Sequence, residues 1–346
     1  MDMFLSFTAL LVLLFSTEQG VASERSPRSN TPSFIQISLT VPVHITVNAT
    51  AIDLEPPKNQ TQLTGLVQEI LGVNSPASSL QVGSTPLTRS YNIAGDLFVP
   101  NDWETRGSGV LELAVHGSTL DRFYWLIGGA GSEFNYVESA IASGNAIFIF
   151  DRLGCGQSTK PDGIKEVQVP VHVAVIEALQ SGIHTEDLVA NRGDVVDGLI
   201  LTGFSADITA VALANAGLDF MIASQADPSK FGTLNNAYVT PSSRIGVQQG
   251  FFFFPEFPQS TLDFVIQNTG LATLGEMLTR SQSISKPAIG FTTPVLVVTG
   301  RNDATECGGD CERPFNGTSD NLLEATQSLF PLASAFETFM PNLTGH

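Results

Sequence analysis

Two residues near the end of this chain have the types and the placement for proton transfer. Asp303 follows the apolar run TPVLVVTG with only Arg301 and Asn302 between, so its carboxylate falls on a loop at a strand end. His346 stands about 40 residues further on, in PNLTGH. A carboxylate that holds one imidazole nitrogen orients the ring and leaves the other nitrogen to act as a base. Such a pair serves acyl transfer when a hydroxyl nucleophile lies within reach. A terminal histidine alone is an ordinary solvated end; its position behind Asp303 sets this one apart.

The attacking group is harder to find. A serine presented for this chemistry sits in G-x-S-x-G, a strained turn between a strand and a helix. No such string occurs in the 346 residues. The nearest imitation is GLILTGFSADITAVALANA, a strand, then Gly203-Phe204-Ser205, then a helical pattern. Ser205 is therefore the stand-in nucleophile, and a poor one, because Asp207 occupies the place where the turn wants a small residue.

Other residues are candidates for supporting roles. His116-Gly117 ends the strand GVLELAVHG, so the backbone N–H groups of Ser118 and Thr119 are placed to face an oxyanion. The His116 side chain reads as a brace for that loop. Asp151, Arg152, Gly154 and Gly156 read as a sharp structural turn, since glycine accepts backbone angles other residues refuse. Cys307 and Cys311 in ECGGDCE are expected to form a disulfide in an oxidising compartment. A metal site is the rival reading, but no further Cys or His lies nearby. Cys155 is left as a buried free thiol. No metal and no cofactor is implied.

The elements that must position these residues alternate in type. Buried strands are expected at GVLELAV, NAIFIF, Gly198–Thr202 and Thr293–Thr299, with helices at Tyr136–Ser143 and Pro170–Ser181. Apolar strands alternating with helices argue for an α/β fold, a mainly parallel sheet covered by helices on both faces. Residues 206–286 show little strand pattern and read as a helical cap over the carboxyl ends of the strands. Within it, the Phe251–Phe257 cluster is either an apolar acyl pocket or plain core. Residues 24–105 read as a strand-rich N-terminal extension, with strands in Phe34–Thr50 and Ser90–Val99 and a helix-like stretch at Thr61–Leu71; residues 106–346 form the main domain.

Ahead of these lies MFLSFTALLVLLF, Met3 to Phe15. It is shorter than the roughly 20 residues that span a bilayer, but long enough for the core of a secretory leader. Val21-Ala22-Ser23 offers small residues for cleavage, so residues 1–23 read as a signal peptide, although Asp2 stands where a basic residue is usual. A buried first strand or helix is the alternative. Four N-x-S/T sequons, at Asn48, Asn59, Asn316 and Asn342, agree with glycosylation on the secretory route. With 34 Asp and Glu against 16 Lys and Arg, the acidic field disfavours nucleic acid and anionic membrane surfaces as partners. No stable membrane anchor is expected. The expected location is extracellular, and the expected partner is a small apolar ester-like substrate or ligand.

The strings LAVHGSTLDRFYW, IFIFDRLGCGQSTKPDG, GLILTGFS and PVLVVTGRNDATECGGDC resemble the α/β-hydrolase superfamily. They are similar in particular to secreted, largely uncharacterised α/β-hydrolases of filamentous fungi, over about residues 85–346. The resemblance implies esterase-like hydrolysis through an acyl-enzyme, with Asp303 as the orienting acid and His346 as the base, in the order this fold uses. It also places Ser205 on the strand after the elbow strand, about one strand spacing of 4.8 Å too far along the sheet.

Between Arg152 and Asp197 the family order requires a loop, helix, strand, elbow and second helix. These would need roughly 60 residues, and about 45 are present. The seam falls near His184–Asp187, where the strand, the elbow and the start of a helix are missing together. Three readings follow: an inactive member of a hydrolase lineage, a secreted ligand-binding protein, or a chain that has lost an exon's worth of sequence.

Overall fold

The computed structural model describes residues 10–17, 34–72, 74–105, 109–185, 196–284, 286–317 and 319–346, with backbone alone at 10–17, 181–185 and 283. Its strands, in chain order, are β1 (Leu10–Thr17), β2 (Phe34–Ile52), β3 (Gln81–Pro100), β4 (Gly109–Val115), β5 (Ala146–Phe150), β6 (Gly198–Thr202), β7 (Phe220–Ile222), β8 (Tyr238–Pro241), β9 (Ala272–Thr273), β10 (Val295–Val298) and β11 (Phe336–Phe339). An eight-stranded sheet takes the order β11-β10-β6-β1-β4-β5-β3-β2. The strands β2, β4, β5, β6, β10 and β11 run one way, and β1 and β3 run the other. Parallel neighbours form two blocks, β4 with β5 and β6 with β10 and β11. Between the blocks lies β1, antiparallel to both sides.

The expected α/β class holds, and the reason is visible along β5. All of AIFIF is buried, because alternate residues feed two different cores. On one face Ile147 and Ile149 pack with Ala114 of β4 and with Val137, Ala140 and Ile141 of the helix Tyr136–Ser143. On the other, Phe148 and Phe150 pack with Leu113 and Val115 of β4 and with Val171, Val175 and Leu179 of the helix Val169–Thr185. A strand covered on both faces has no polar side to show, so it reads as a continuous apolar run. The helix Tyr136–Ser143 has both of its stops in the sequence. The Asn135 side chain accepts from Glu138 N at 3.2 Å, and Gly144 closes the helix in the left-handed conformation.

The N-terminal extension belongs to the same sheet. Strands β2 and β3 form a long antiparallel ladder, and Gly95–Phe98 of β3 pairs with β5. The stretch from Phe34 is a single 19-residue strand. The helix-like stretch is realised as Gln60–Leu71, which docks on the cap: the Gln60 side chain donates to Phe220 O at 3.0 Å and accepts from Ile222 N at 2.9 Å.

The cap is not helical throughout. Short helices surround a small antiparallel sheet of order β7-β8-β9. Its strands are two to four residues long, too short to leave an alternation in the sequence. A buried ion pair ties the cap to the main sheet: Arg152, after β5, donates to Glu276 Oε1 at 2.9 Å. The seam expected near His184–Asp187 lies partly outside the described residues.

Candidate active site

Asp303 sits on the loop after β10, where its side chain caps the short helix Ala304–Cys307. It is fully buried. One carboxylate oxygen accepts from Glu306 N at 2.7 Å, and the other accepts from His346 Nδ1 at 2.8 Å. With Nδ1 as the donor, the basic position of the imidazole is Nε2, the tautomer that general-base chemistry requires.

Backbone contacts hold the two residues together. Arg301 N donates to Pro341 O at 3.0 Å, Asn302 N to Thr344 O at 2.9 Å, and His346 N to Phe251 O at 3.0 Å. The Phe251 ring lies 5.3 Å from the imidazole, centre to centre. Behind Asp303 the expected disulfide, Cys307–Cys311, closes a tight loop. Cys307 N and Gly309 N both donate to Asp303 O, at 3.2 and 2.8 Å. Cys155 is free and buried, as expected; burial pushes its thiol up to about 12.

The imidazole borders a cavity of about 380 Å³, lined largely by aromatic side chains: Tyr124, Trp125, Tyr136, Phe251, Phe252 and Phe257. Phe251, Phe252 and Phe257 thus line this cavity and also pack against the cap core. Two polar tips matter among these walls. Burial, with a smaller contribution from the Asp303 carboxylate, pushes the Tyr124 phenol up to about 12, so it stays a neutral donor. Trp125 Nε1 is buried without a hydrogen-bond partner among the described residues, and an unmet buried donor favours a ligand that carries an acceptor. Neither residue stands out in the sequence beyond its place in the loop Phe123-Tyr124-Trp125.

The other candidates are placed differently. Ser205 is completely buried, and its hydroxyl is engaged with the Asp207 backbone, accepting from N at 2.9 Å and donating to O at 3.3 Å. It makes a local turn and borders no part of the cavity. Asp207, the residue that made the imitation elbow suspect, is tied in turn to Arg313 and Thr209.

Thr119 takes a positive φ of 62°, but its N–H donates to Leu271 O at 3.2 Å, so that group is not offered to an oxyanion. Ser118 does not border the cavity either. His116 is the expected brace: Nδ1 donates to Gly117 O at 2.8 Å, and Nε2 accepts from Arg152 N at 3.0 Å. Burial, then the Arg152 charge, holds it well below the usual histidine range, so it stays neutral. Asp151 holds the turn after β5, accepting from Gln157 N at 2.7 Å and pairing with Arg122.

The four sequon asparagines are all exposed. Sequence reasoning missed the cluster of Arg152, His172 and Glu276, with His172 Nε2 3.0 Å from the carboxylate. The only signal was Thr273-x-x-Glu276, a capping box that the structure contains.

No protein-family model and no curated protein matches this chain. Among solved structures it is similar to a hydrolase from Pseudomonas aeruginosa PA01, at 12% identity over 74% of this chain and 88% of that one, TM-score 0.41. It is similar also to the Cif epoxide hydrolase from Acinetobacter nosocomialis, at 11% identity over 74% and 80%, TM-score 0.42. A third is the alpha/beta hydrolase GrgF from Penicillium sp. sh18, at 12% identity over 74% and 87%, TM-score 0.40. Likenesses this distant bear on no residue's role. The chain's own geometry is an α/β fold with an acid–histidine pair beyond the carboxyl ends of its strands.

Proposed function

We propose that this chain is a secreted protein of α/β-hydrolase lineage whose site is laid out for carboxylic-ester or related acyl hydrolysis. As it stands it binds a small apolar ester-like ligand without turning it over. The observation that carries the reading is the 2.8 Å contact of Asp303 with His346, on a cavity walled by aromatic rings. In a complete site, His346 Nε2 would take the proton of an attacking hydroxyl while Asp303 stabilised the imidazolium. The chemistry needs only side chains. The missing parts are the attacker and the oxyanion donors: no G-x-S-x-G is present, the Ser205 hydroxyl is held by Asp207, and the Thr119 N–H donates to Leu271 O. Secretion is supported by the exposed sequons and the disulfide.

The test uses p-nitrophenyl butyrate and a fluorophosphonate probe. Trp125 is one of only two tryptophans, so occupancy of the cavity should quench fluorescence in a saturable way. No p-nitrophenolate should be released above background, and the probe should label nothing. Labelling that disappears in Ser205→Ala would make Ser205 the nucleophile and end the binding-only reading. The short interval between Arg152 and Asp197 favours a second reading, in which the chain has lost an internal segment and with it an activity its site is still shaped for.

A further inference from the structure

The strand at the centre of the sheet does not come from the chain's middle. β1 comes from residues 10–17, inside the segment that reads as a secretory leader. We infer that the gap between β4 and β6 is a strand-acceptor site, and that Leu10–Thr17 of this same chain is its occupant. The inference rests on the sheet and is independent of the ligand proposed above.

Strands β4 and β6 run in the same direction, and each has one other partner, β5 and β10 respectively. Without a strand between them, each would leave a row of backbone N–H and C=O groups unpaired in the middle of a sheet covered on both faces. Buried backbone groups are almost always paired, so an open slot there is strongly unfavourable. β1 meets both edges in register: Leu13 stands opposite Leu113 of β4 and Leu199 of β6.

Its sequence, LLVLLFST, carries no charge and is apolar at both alternations, which a strand covered on both faces requires. Residues 186–195, EDLVANRGDV, offer no such run where a chain-central strand would be drawn from.

The direction of β1 also matters. An elbow strand parallel to β4 and β6 would deliver its turn to the end of the sheet where His346 lies. β1 is antiparallel, and its last residue, Thr17, pairs with Gly109 at the start of β4. It therefore completes the hydrogen-bond ladders without presenting a nucleophile. The segment cannot both be cleaved away behind Ser23 and remain covalently in the sheet. A chain that has lost residues 1–23 carries an open slot that accepts the same strand supplied separately.

The experiment compares residues 1–346, residues 24–346, and residues 24–346 with a peptide of residues 8–19 bearing a lysine tail. Amide hydrogen exchange is read in β4 and β6. Protection should fall at least tenfold on truncation and return with the peptide, but not with a scrambled one. Equal protection in the truncated chain overturns the inference. Should truncation abolish folding, the full chain carries the test through paired cysteines. Leu13→Cys with Leu113→Cys should cross-link, since antiparallel partners lie within disulfide reach, while Leu13→Cys with Leu111→Cys should not. Absence of the in-register cross-link, or equal yield of both, overturns it as well.

Discussion

Gly203 and His346 touch so closely that no side chain fits between them: a Cβ on Gly203 would lie 2.7 Å from the imidazole Cε1. Gly203, the residue after β6, has a φ of 54°, in the left-handed region, so the position excludes a side chain on two counts. The back wall of the imidazole site is thus backbone.

Gly203→Ala should therefore displace the ring and cost about 1–3 kcal/mol of stability. The expected readings are a lower melting temperature and a shifted His346 Cε1–H resonance. A native resonance together with an unchanged melting point would show that the close contact does not position the ring.

The disulfide should contribute modestly by itself and more through the loop it closes. Linking residues four apart restricts the unfolded chain by about 2 kcal/mol on the loop-entropy account. Because Cys307 N and Cys311 N donate to Asp303 O and Arg301 O, Cys307→Ser should also loosen the Asp303 loop. Reduction should lower the melting temperature, and Cys155 should react with a thiol reagent only after unfolding. Peptide mapping that joins Cys155 to either partner would contradict this.

Stability should fall in mild acid. Burial holds His116 and His172 below the ordinary histidine value. A depressed histidine binds fewer protons folded than unfolded, so stability is lost as pH drops below about 6.5. The slope should approach 1.4 kcal/mol per pH unit for each histidine that stays neutral. Asp121 works in the opposite sense. Burial first, and then the Asp151 charge, raise it to about 6, so its ionisation costs stability as pH rises from about 4 to about 6. Asp121→Asn, which preserves an acceptor for Phe123 N, should stabilise the protein at pH 7 and steepen the acid loss. Urea midpoints between pH 4 and 8 test both signs.

Repair of the seam tests the lineage. Inserting a strand and a G-x-S-x-G turn near His184–Asp187 should displace Leu10–Thr17 from the slot and create esterase activity. His346→Ala in the repaired chain should lower the rate by about a hundredfold or more. A repaired protein that folds yet hydrolyses no p-nitrophenyl ester, or whose rate ignores His346, would leave Asp303 and His346 as structural residues.

Several parts of this molecule were legible in the sequence alone, each because its signal is local. The run AIFIF announces a strand buried on both faces, and Asn135 and Gly144 bracket a helix. The glycines between Cys307 and Cys311 announce a closable loop. Asp303 and His346 were legible as a pair because chain order carries the information. What order could not carry is proximity across long separations. That the Thr119 N–H is consumed by Leu271, and that Arg152 meets Glu276 across 124 residues, depends on how the cap settles on the sheet. Ser205 imitated the start of an elbow, but its hydroxyl is engaged locally by the backbone of Asp207, two residues on. Leu10–Thr17 shows the difference most directly. Its apolar character is plain in the sequence, but a uniformly apolar segment suits a leader and a central strand equally well. Only the facing edges of β4 and β6, assembled from distant parts of the chain, give it strand partners.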